Sequence, residues 1–597
     1  MFSAETLRAP CVLLEDRLSP VRAARLYRDP VAVIRCEAPE DVEAAFARIE
    51  DGLAKGLHAA GLFSYELGYA LEPKLAGLMP VRRDAPLLWM GLFEAFEAIT
   101  AEDLDMAFAR LAPPAPIANL HNGADRRAHM DRAATVLDLI EAGDAYQVNL
   151  TFPLTFEYAG DPLSLYAALR SRQPVAHGGV ARLGDMTVLS VSPELWVEIA
   201  GDRITTRPMK GTVARATDAG ADRAARETLL ADPKQRAENL MIVDLLRNDL
   251  ARIAEPGSVQ VPALFTVETY PSFHAMTSTV TGRLAPGHGL HDRVAALFPC
   301  GSVVGAPKIR AAEIIRSLEP EPRGFYCGAL GAIEPGGDMT FNVAIRTATL
   351  RADGRGRYGV GGGVVADSVP AAEYDEAELK GRVLTDLSGD YDLFETFRWS
   401  LTDGFVRLSR HLDRLHGSAA QLGFAFDRAA AERALGAEAD AWRTGSADVR
   451  VRLALSRDGA LAITHAPLPA PPGHVLRIGV ASIALDAGDP FLRHKTTRRE
   501  LHERAFAAAS ADGLDEALLL NHRGEIAEAS RNSIFAEIDG QLITPPLTAG
   551  VLPGVLRGEL IESGKAVERR LTLNALTQAQ RLYLGNSLHG LRVAALV

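Results

Sequence analysis

The sequence predicts an α+β protein built from two enzyme-sized units. Three observations carry that reading. At 597 residues the chain is longer than one hydrophobic core ordinarily supports. Over residues 126–385, strand-like and helix-like stretches alternate in long motifs. The polar stretch "RVLTDLSGDYDLFETFRW" then leads into a fresh strand pattern, which places a seam near Asp386. Before these, the turn-rich "RLAPPAPIANLHNGADRR" closes an N-terminal region of short strands and helices. The expected domains are therefore residues 1–115, 116–385 and 386–597.

Composition narrows the function classes. Hydrophobic content of 47% and charged content of 23% describe a soluble globular protein. A formal charge of -12 argues against general nucleic-acid binding, which needs clustered Lys and Arg. The four cysteines, Cys11, Cys36, Cys300 and Cys327, show neither metal-ligand spacing nor disulfide density, as expected in a reducing cytoplasm. No basic segment followed by an apolar core opens the chain and no apolar run reaches membrane-spanning length, so neither secretion nor a membrane partner is expected.

In the first unit, "LWVEIAGDRITTRPMKG" reads as a half-buried hairpin closed by Lys210. An amine there is either a carboxylate-binding cation or a partly desolvated nucleophile. "PKQRAENLMIVDLLRNDLARI" has a helical period, with Leu240, Val243, Leu246 and Leu250 on one face and Glu238, Asp244, Asn248 and Asp249 off it. "AAEYDEAELKGRVL" is a second acidic helix in which Glu373 and Glu376 share a face. These acids are either solvated or turned into one cleft, where carboxylate oxygens would hold a hard dication such as Mg2+. Small residues ahead of "APKIRAAEII", with Lys308, and the glycines Gly361, Gly362 and Gly363 let backbone amides approach an anion. Arg346, in an apolar strand, needs an anionic partner if buried. Together these groups describe a site for a dianionic small molecule.

The motifs "RPMKGT", "AENLMIVDLLRNDL", "GSVVGAPKIRAAEII", "RGFYCGALG", "IRTATL" and "GGGVVADS" followed by "EYDEAELK" resemble, in order and spacing, the chorismate-utilising enzymes across residues 126–385. "LLEDRL" and "LFSYELGYALE" are similar to that family's N-terminal region. The resemblance implies antiparallel sheets packed with helices, a Mg2+ ion held by Glu238, Glu373 and Glu376, and a substrate surrounded by Lys308, Tyr326, Arg346 and Gly361 to Gly363. Members that make anthranilate, isochorismate or salicylate carry alanine where this chain has Lys210, whereas the aminodeoxychorismate-forming members carry lysine. In those members the lysine attacks the chorismate ring at C2 as the C4 hydroxyl departs, and ammonia then adds at C4. Gln235 stands where many relatives have an acid, and Ala275, preceded by His274, where anthranilate-forming members have histidine. Neither Cys300 nor Cys327 sits in a nucleophile turn, so ammonia is expected from a separate glutamine amidotransferase.

In the second unit, "DPFLRHKTTRRELHERA" places Lys495 at the opening of an Arg-rich helix. Downstream come a buried-looking strand with Glu528 and the helix start "LPGVLRGEL", where the amides of Val555 and Leu556 would meet a phosphate. A lysine, an acid and an anion cradle are what pyridoxal 5'-phosphate requires. "FETFR", "LSRHLDRLHGSAAQLGF", "HKTTR", "EASRNSIF" and "GVLPGVLR" resemble the branched-chain aminotransferase and aminodeoxychorismate lyase family, the fold type IV pyridoxal phosphate enzymes of two subdomains. That resemblance implies a covalent link from Lys495 to the cofactor, Glu528 at its ring nitrogen and Arg414 at its phosphate. Ser533 stands where relatives usually have asparagine, Arg452 is a candidate for the substrate carboxylate, and a homodimer through this half is implied. The two resemblances together imply conversion of chorismate to 4-aminobenzoate and pyruvate for folate synthesis. Alternatives left open are an anthranilate-type synthase fused to a transaminase, or to an inactive scaffold.

Overall fold

The computed structural model describes residues 6–19, 23–216, 219–270, 273–387, 391–442 and 448–597. The chain divides into two units. The first comprises residues 1–101 and 116–388, and the second residues 102–115 and 389–597. The residues next to the expected seam, 388–390, lie outside the described residues, as do residues 443–447.

Two antiparallel ten-stranded sheets form the first unit. In one, the long strands Gln147–Tyr158 and Arg355–Val365 pair along the whole of Arg355–Val365, so the glycine triplet lies against Asn149, Leu150 and Thr151. In the other, Met209–Ala214 pairs with Phe273–Arg283, and the register shifts between Lys210 and Thr212. Gly211 makes that bulge possible, since its φ is +75° and a Cβ there would lie 2.6 Å from Gln235 Oε1. The bulge re-aims Lys210 from the ladder.

Helices Pro233–Ala251 and Pro370–Thr385 carry the expected acids. The first starts where the sequence dictates: Asp232 caps the amides of Lys234 and Gln235 at 2.8 and 3.2 Å, and Pro233 fits the first turn. Its buried face corrects the expected one. Ile242, Val243, Leu246 and Leu250 are buried with Asn239 and Asp249, whereas Leu240 is exposed. Asn239 turns inward because its Oδ1 accepts from Ser278 Oγ at 2.5 Å, and that rotates the buried stripe.

The second unit has a four-stranded sheet, with strands Leu393–Ser400, Val449–Leu455 and Leu461–Pro467, and an eight-stranded mixed sheet containing Glu516–Asn521, Ile526–Ala529 and Ser533–Ile538. Helices Leu408–Leu422 and Arg428–Trp442 supply Leu412, Leu415, Leu435 and Trp442 to the core that also buries Phe397 and Val451. The chain is thus α+β throughout, as expected. Among the described residues no helix is long and apolar enough to cross a membrane.

Candidate active sites

A cavity of about 500 Å³ in the first unit is lined by Lys210, Glu238, Tyr326, Arg346, Gly361, Gly362, Gly363, Glu373 and Glu376. These residues come from six separate sequence segments. Lys210 Nζ donates to Ser302 O at 3.3 Å. A Cβ on Gly363 would stand 2.7 Å from Gln147 Nε2 and 3.3 Å from Lys210 Nζ; one on Gly362 would stand 3.3 Å from Glu373 Oε2. The glycines therefore leave the floor of the cavity to backbone alone, beside the lysine and the acids.

Electrostatics divides the three carboxylates. Burial pushes Glu238 and Glu373 above the usual carboxylate range, and Glu376 adds to both shifts. Glu376 itself is lowered, chiefly by Lys380, whose Nζ lies 2.8 Å away and also donates to Gly361 O at 2.9 Å. Among the described residues no group of three or more His, Cys, Asp or Glu stands close enough to hold a metal ion as it is placed. The donor chemistry still suits a hard cation, because like-charged, partly buried carboxylates on one wall are stabilised by a dication between them.

Arg346 lies 4.7 Å above the Phe273 ring, at φ +49°, with its guanidinium lowered by burial and no carboxylate recorded against it among the described residues. Its charge is available to an anion in the cavity. Tyr326 packs flat on Gly359, where a Cβ would meet its ring at 2.1 Å.

Lys308 is placed differently from expectation. It lines a separate cavity with Asn248 and Asp249, and its Nζ is bound to Asp249 Oδ2 at 2.7 Å. Asp249, off the apolar face in the sequence, is buried, and the lysine partners that charge away from the cavity of Lys210. His274 is also structural: it is buried between Thr269 Oγ1 at 3.0 Å and Asp222 at 3.1 Å. Cys300 and Cys327 are buried thiols pushed up to about 12 by burial.

Three residues of this cavity escaped the sequence reading. Glu194, in "SPELW", is buried beside Lys210, and burial raises its carboxyl against the opposing effects of Ser302 and Lys210. Lys380 could have been found from its position four after Glu376. Lys234, 4.0 Å from Glu238, stands in the same relation to that acid.

The second unit encloses a cavity of about 750 Å³ lined by Arg414, Arg452, Lys495, Glu528, Ser533, Val555 and Leu556. Lys495 does not open the helix, which begins at Glu500; it precedes Thr496, bridged to Leu393, and its carbonyl accepts from Phe394 N at 3.0 Å. Its amine lies 4.9 Å over the Phe394 ring. Burial, then the charges of Arg499 and Arg414, lower it to about 7. Burial works to raise Glu528, yet His502 at 2.9 Å, the charge of Arg499 and the Leu552 N–H at 3.2 Å hold it below its ordinary value.

Helix Val555–Glu562 starts behind Gly554, where a Cβ would stand 2.8 Å from Ser533 Oγ, so the amides of Val555 and Leu556 open on an uncrowded cradle. Arg414 faces that cavity while gripping Glu395 at 2.8 and 2.6 Å and Pro553 O at 3.0 Å. Glu395 also accepts from His411, which contacts Ser587 at 2.8 Å; neither Glu395 nor His411 was singled out in the sequence. Arg452 lies 3.9 Å over the Phe394 ring, on the same cavity.

Residues 9–386 match the family described as chorismate binding enzyme, and residues 392–596 that described as amino-transferase class IV. The aminodeoxychorismate synthase component 1 of Klebsiella aerogenes is 39% identical over 342 residues, 53% of this chain and 74% of that protein. Anthranilate synthase component 1 of Streptomyces coelicolor is 44% identical over 42% of this chain, which spans 50% of that relative. Among solved structures, anthranilate synthase component I of Streptococcus pneumoniae superposes with a TM-score of 0.53 at 27% identity, over 62% of this chain and 93% of that one.

Proposed function

Because this chain belongs to the chorismate binding enzyme family, we propose that its first unit aminates chorismate at C4 and its second converts the product to 4-aminobenzoate and pyruvate. The observation that carries the first step is Lys210, an amine facing the same cavity as Glu238, Glu373, Glu376 and Arg346. Identity alone does not choose between relatives, since component 1 proteins of both kinds are about equally similar.

In the proposed reaction the Lys210 amine bonds to C2 as the ring double bonds shift and the C4–O bond breaks, and the proton shed by the amine goes to the leaving oxygen, which departs as water. Ammonia then bonds to C4, the double bonds return, and the proton shed by ammonia goes to Lys210 as it leaves C2 with its electron pair. Glu194, beside Lys210 in the cavity wall, relays both protons. Glu238, Glu373 and Glu376 would hold Mg2+, which supplies positive charge against a substrate carboxylate. Arg346 holds the second carboxylate. Ammonia comes from a separate glutamine amidotransferase subunit.

The second cavity suits pyridoxal 5'-phosphate, the amino-transferase class IV match supporting that cofactor for residues 392–596. Lys495, Glu528 and the amides of Val555 and Leu556, with Arg414, would hold it, and the bound cofactor supplies an electron sink at the substrate amine. Lys495, with an amine near neutrality, then moves the C4 proton as pyruvate departs. Arg452 orients the substrate carboxylate. Resemblance to fold type IV enzymes supports a homodimer through residues 391–597, the two activities together support a role in folate synthesis, and the four free cysteines fit a cytoplasmic location. The reading is tested by supplying chorismate without ammonia and analysing the digested protein by mass: a chorismate-derived adduct on Lys210 is expected, and an unmodified Lys210 in an otherwise active preparation refutes it.

A further inference from the structure

The second unit contains one element from far upstream. Helix Ala101–Ala109 buries Leu104, Asp105, Ala107, Phe108 and Ala109, and residues 102–115 belong with residues 389–597. Asp105, 5% exposed, accepts from Arg523 Nη1 at 2.5 Å. Arg523 also donates to Glu525 Oε2 from Nε at 3.1 Å and from Nη2 at 2.8 Å, and from Nη2 to Thr548 O at 2.8 Å. Glu102 pairs with Arg570, whose Nε lies 3.5 Å from Glu525 Oε1. Without Asp105, the largely buried Arg523 would have only the carboxylate of Glu525, which the exposed Arg570 also approaches, a poor balance for a buried guanidinium.

Arg523 reaches the cavity through Thr548. That residue lies in the short turn Leu547–Ala549, whose Ala549 O also accepts from Asn521 Nδ2 at 3.1 Å. Three residues on, Leu552 N donates to Glu528, Pro553 O accepts from Arg414, and Gly554 begins the helix that offers Val555 and Leu556. The turn therefore sets the position of one wall of the second active site.

We infer that residues 102–115 are a positioning strap for that wall: Asp105 holds Arg523, and Arg523 holds the turn that presents Leu552 to Leu556. The proposal rests on reading the second cavity as the pyridoxal phosphate site. It makes the cofactor site of the C-terminal half depend on a segment of the N-terminal half, which no contact local in sequence could reveal.

The test uses the full chain. In cofactor-free Asp105→Asn, amide hydrogen exchange across residues 547–556 should rise about tenfold, as expected for the loss of a charged hydrogen bond. Exchange across residues 393–400 and the rate of chorismate consumption should stay at wild-type values. The loaded protein should lose pyridoxal phosphate several-fold faster, and Asp105→Glu should largely restore both properties. Wild-type exchange across residues 547–556 in both Asp105→Asn and Asp105→Ala would overturn the strap. Faster exchange without faster cofactor loss would overturn its positioning role. Failure of the wild-type protein to bind pyridoxal phosphate at all would instead overturn the underlying reading of the cavity.

Discussion

Lys495 offers the sharpest quantitative prediction. An ordinary lysine has a reference value of 10.5, whereas burial and the charges of Arg499 and Arg414 bring this amine to about 7. At pH 7 about half the molecules then carry a neutral, nucleophilic Lys495, against roughly one in 3,000 for an ordinary lysine. The shift is a depression of a base, so the neutral form grows as pH rises through 7 and is complete well below 10. The rate of covalent attachment of pyridoxal phosphate to cofactor-free protein, followed by the absorbance of the imine in stopped flow, should therefore rise about tenfold per unit below pH 6 and flatten above pH 8. Arg499→Gln removes the larger of the two charge effects and should move the midpoint upward. A rate that climbs without a plateau to pH 9.5, or a midpoint unmoved by Arg499→Gln, would refute this account of the amine.

Other consequences follow from the same geometry. Lys210→Ala should remove chorismate amination while conversion of supplied 4-amino-4-deoxychorismate continues, as product analysis of both reactions would show. A chelator or Glu238→Gln should lower chorismate consumption by at least tenfold and leave the second reaction unchanged. Gly363→Ala places a methyl 2.7 Å from Gln147 Nε2 and 3.3 Å from Lys210 Nζ, so kcat for the first reaction should fall with the fold intact by circular dichroism. Burial raises Glu395, but Arg414 and His411 outweigh it and hold the group at about 2 against 4.5. Its contribution, about 3 kcal/mol, is full above pH 4.5 and lost as pH falls toward 2. Glu395→Gln should therefore lower the denaturation midpoint of the second unit at pH 7 by a corresponding amount and much less near pH 2.

Much of the first site was legible because each contributing motif is continuous. The glycines, the acid pair Glu373 and Glu376 on one helix face, and a lysine at the end of a strand announce themselves within a few residues, and the fold gathers them on one cavity. Lys308 shows the limit: its glycine-rich surroundings resemble an anion site, yet Asp249, fifty-nine residues earlier, turns inward to meet it. Asp249 falls on the buried stripe together with Asn239, and the partners that hold them there, Lys308 and Ser278, are distant in sequence. Lys495 was assigned to a helix because the Arg-rich run after it is helical in period; the bridge between Leu393 and Thr496 holds the lysine outside it. Glu194, Glu395 and His411 gave no local signal, since each acts through a partner distant in sequence. The segment 102–115 is the extreme case, as its partners Arg523 and Arg570 lie more than four hundred residues away.

The most direct measurement gives the purified chain chorismate, an ammonium salt and Mg2+, with and without pyridoxal phosphate, and identifies the products. Without the cofactor an aminated, non-aromatic intermediate should accumulate; with it, 4-aminobenzoate and pyruvate should form in equal amounts. Formation of 2-aminobenzoate, or persistence of the intermediate in the presence of bound pyridoxal phosphate, would contradict the assignment of the two units.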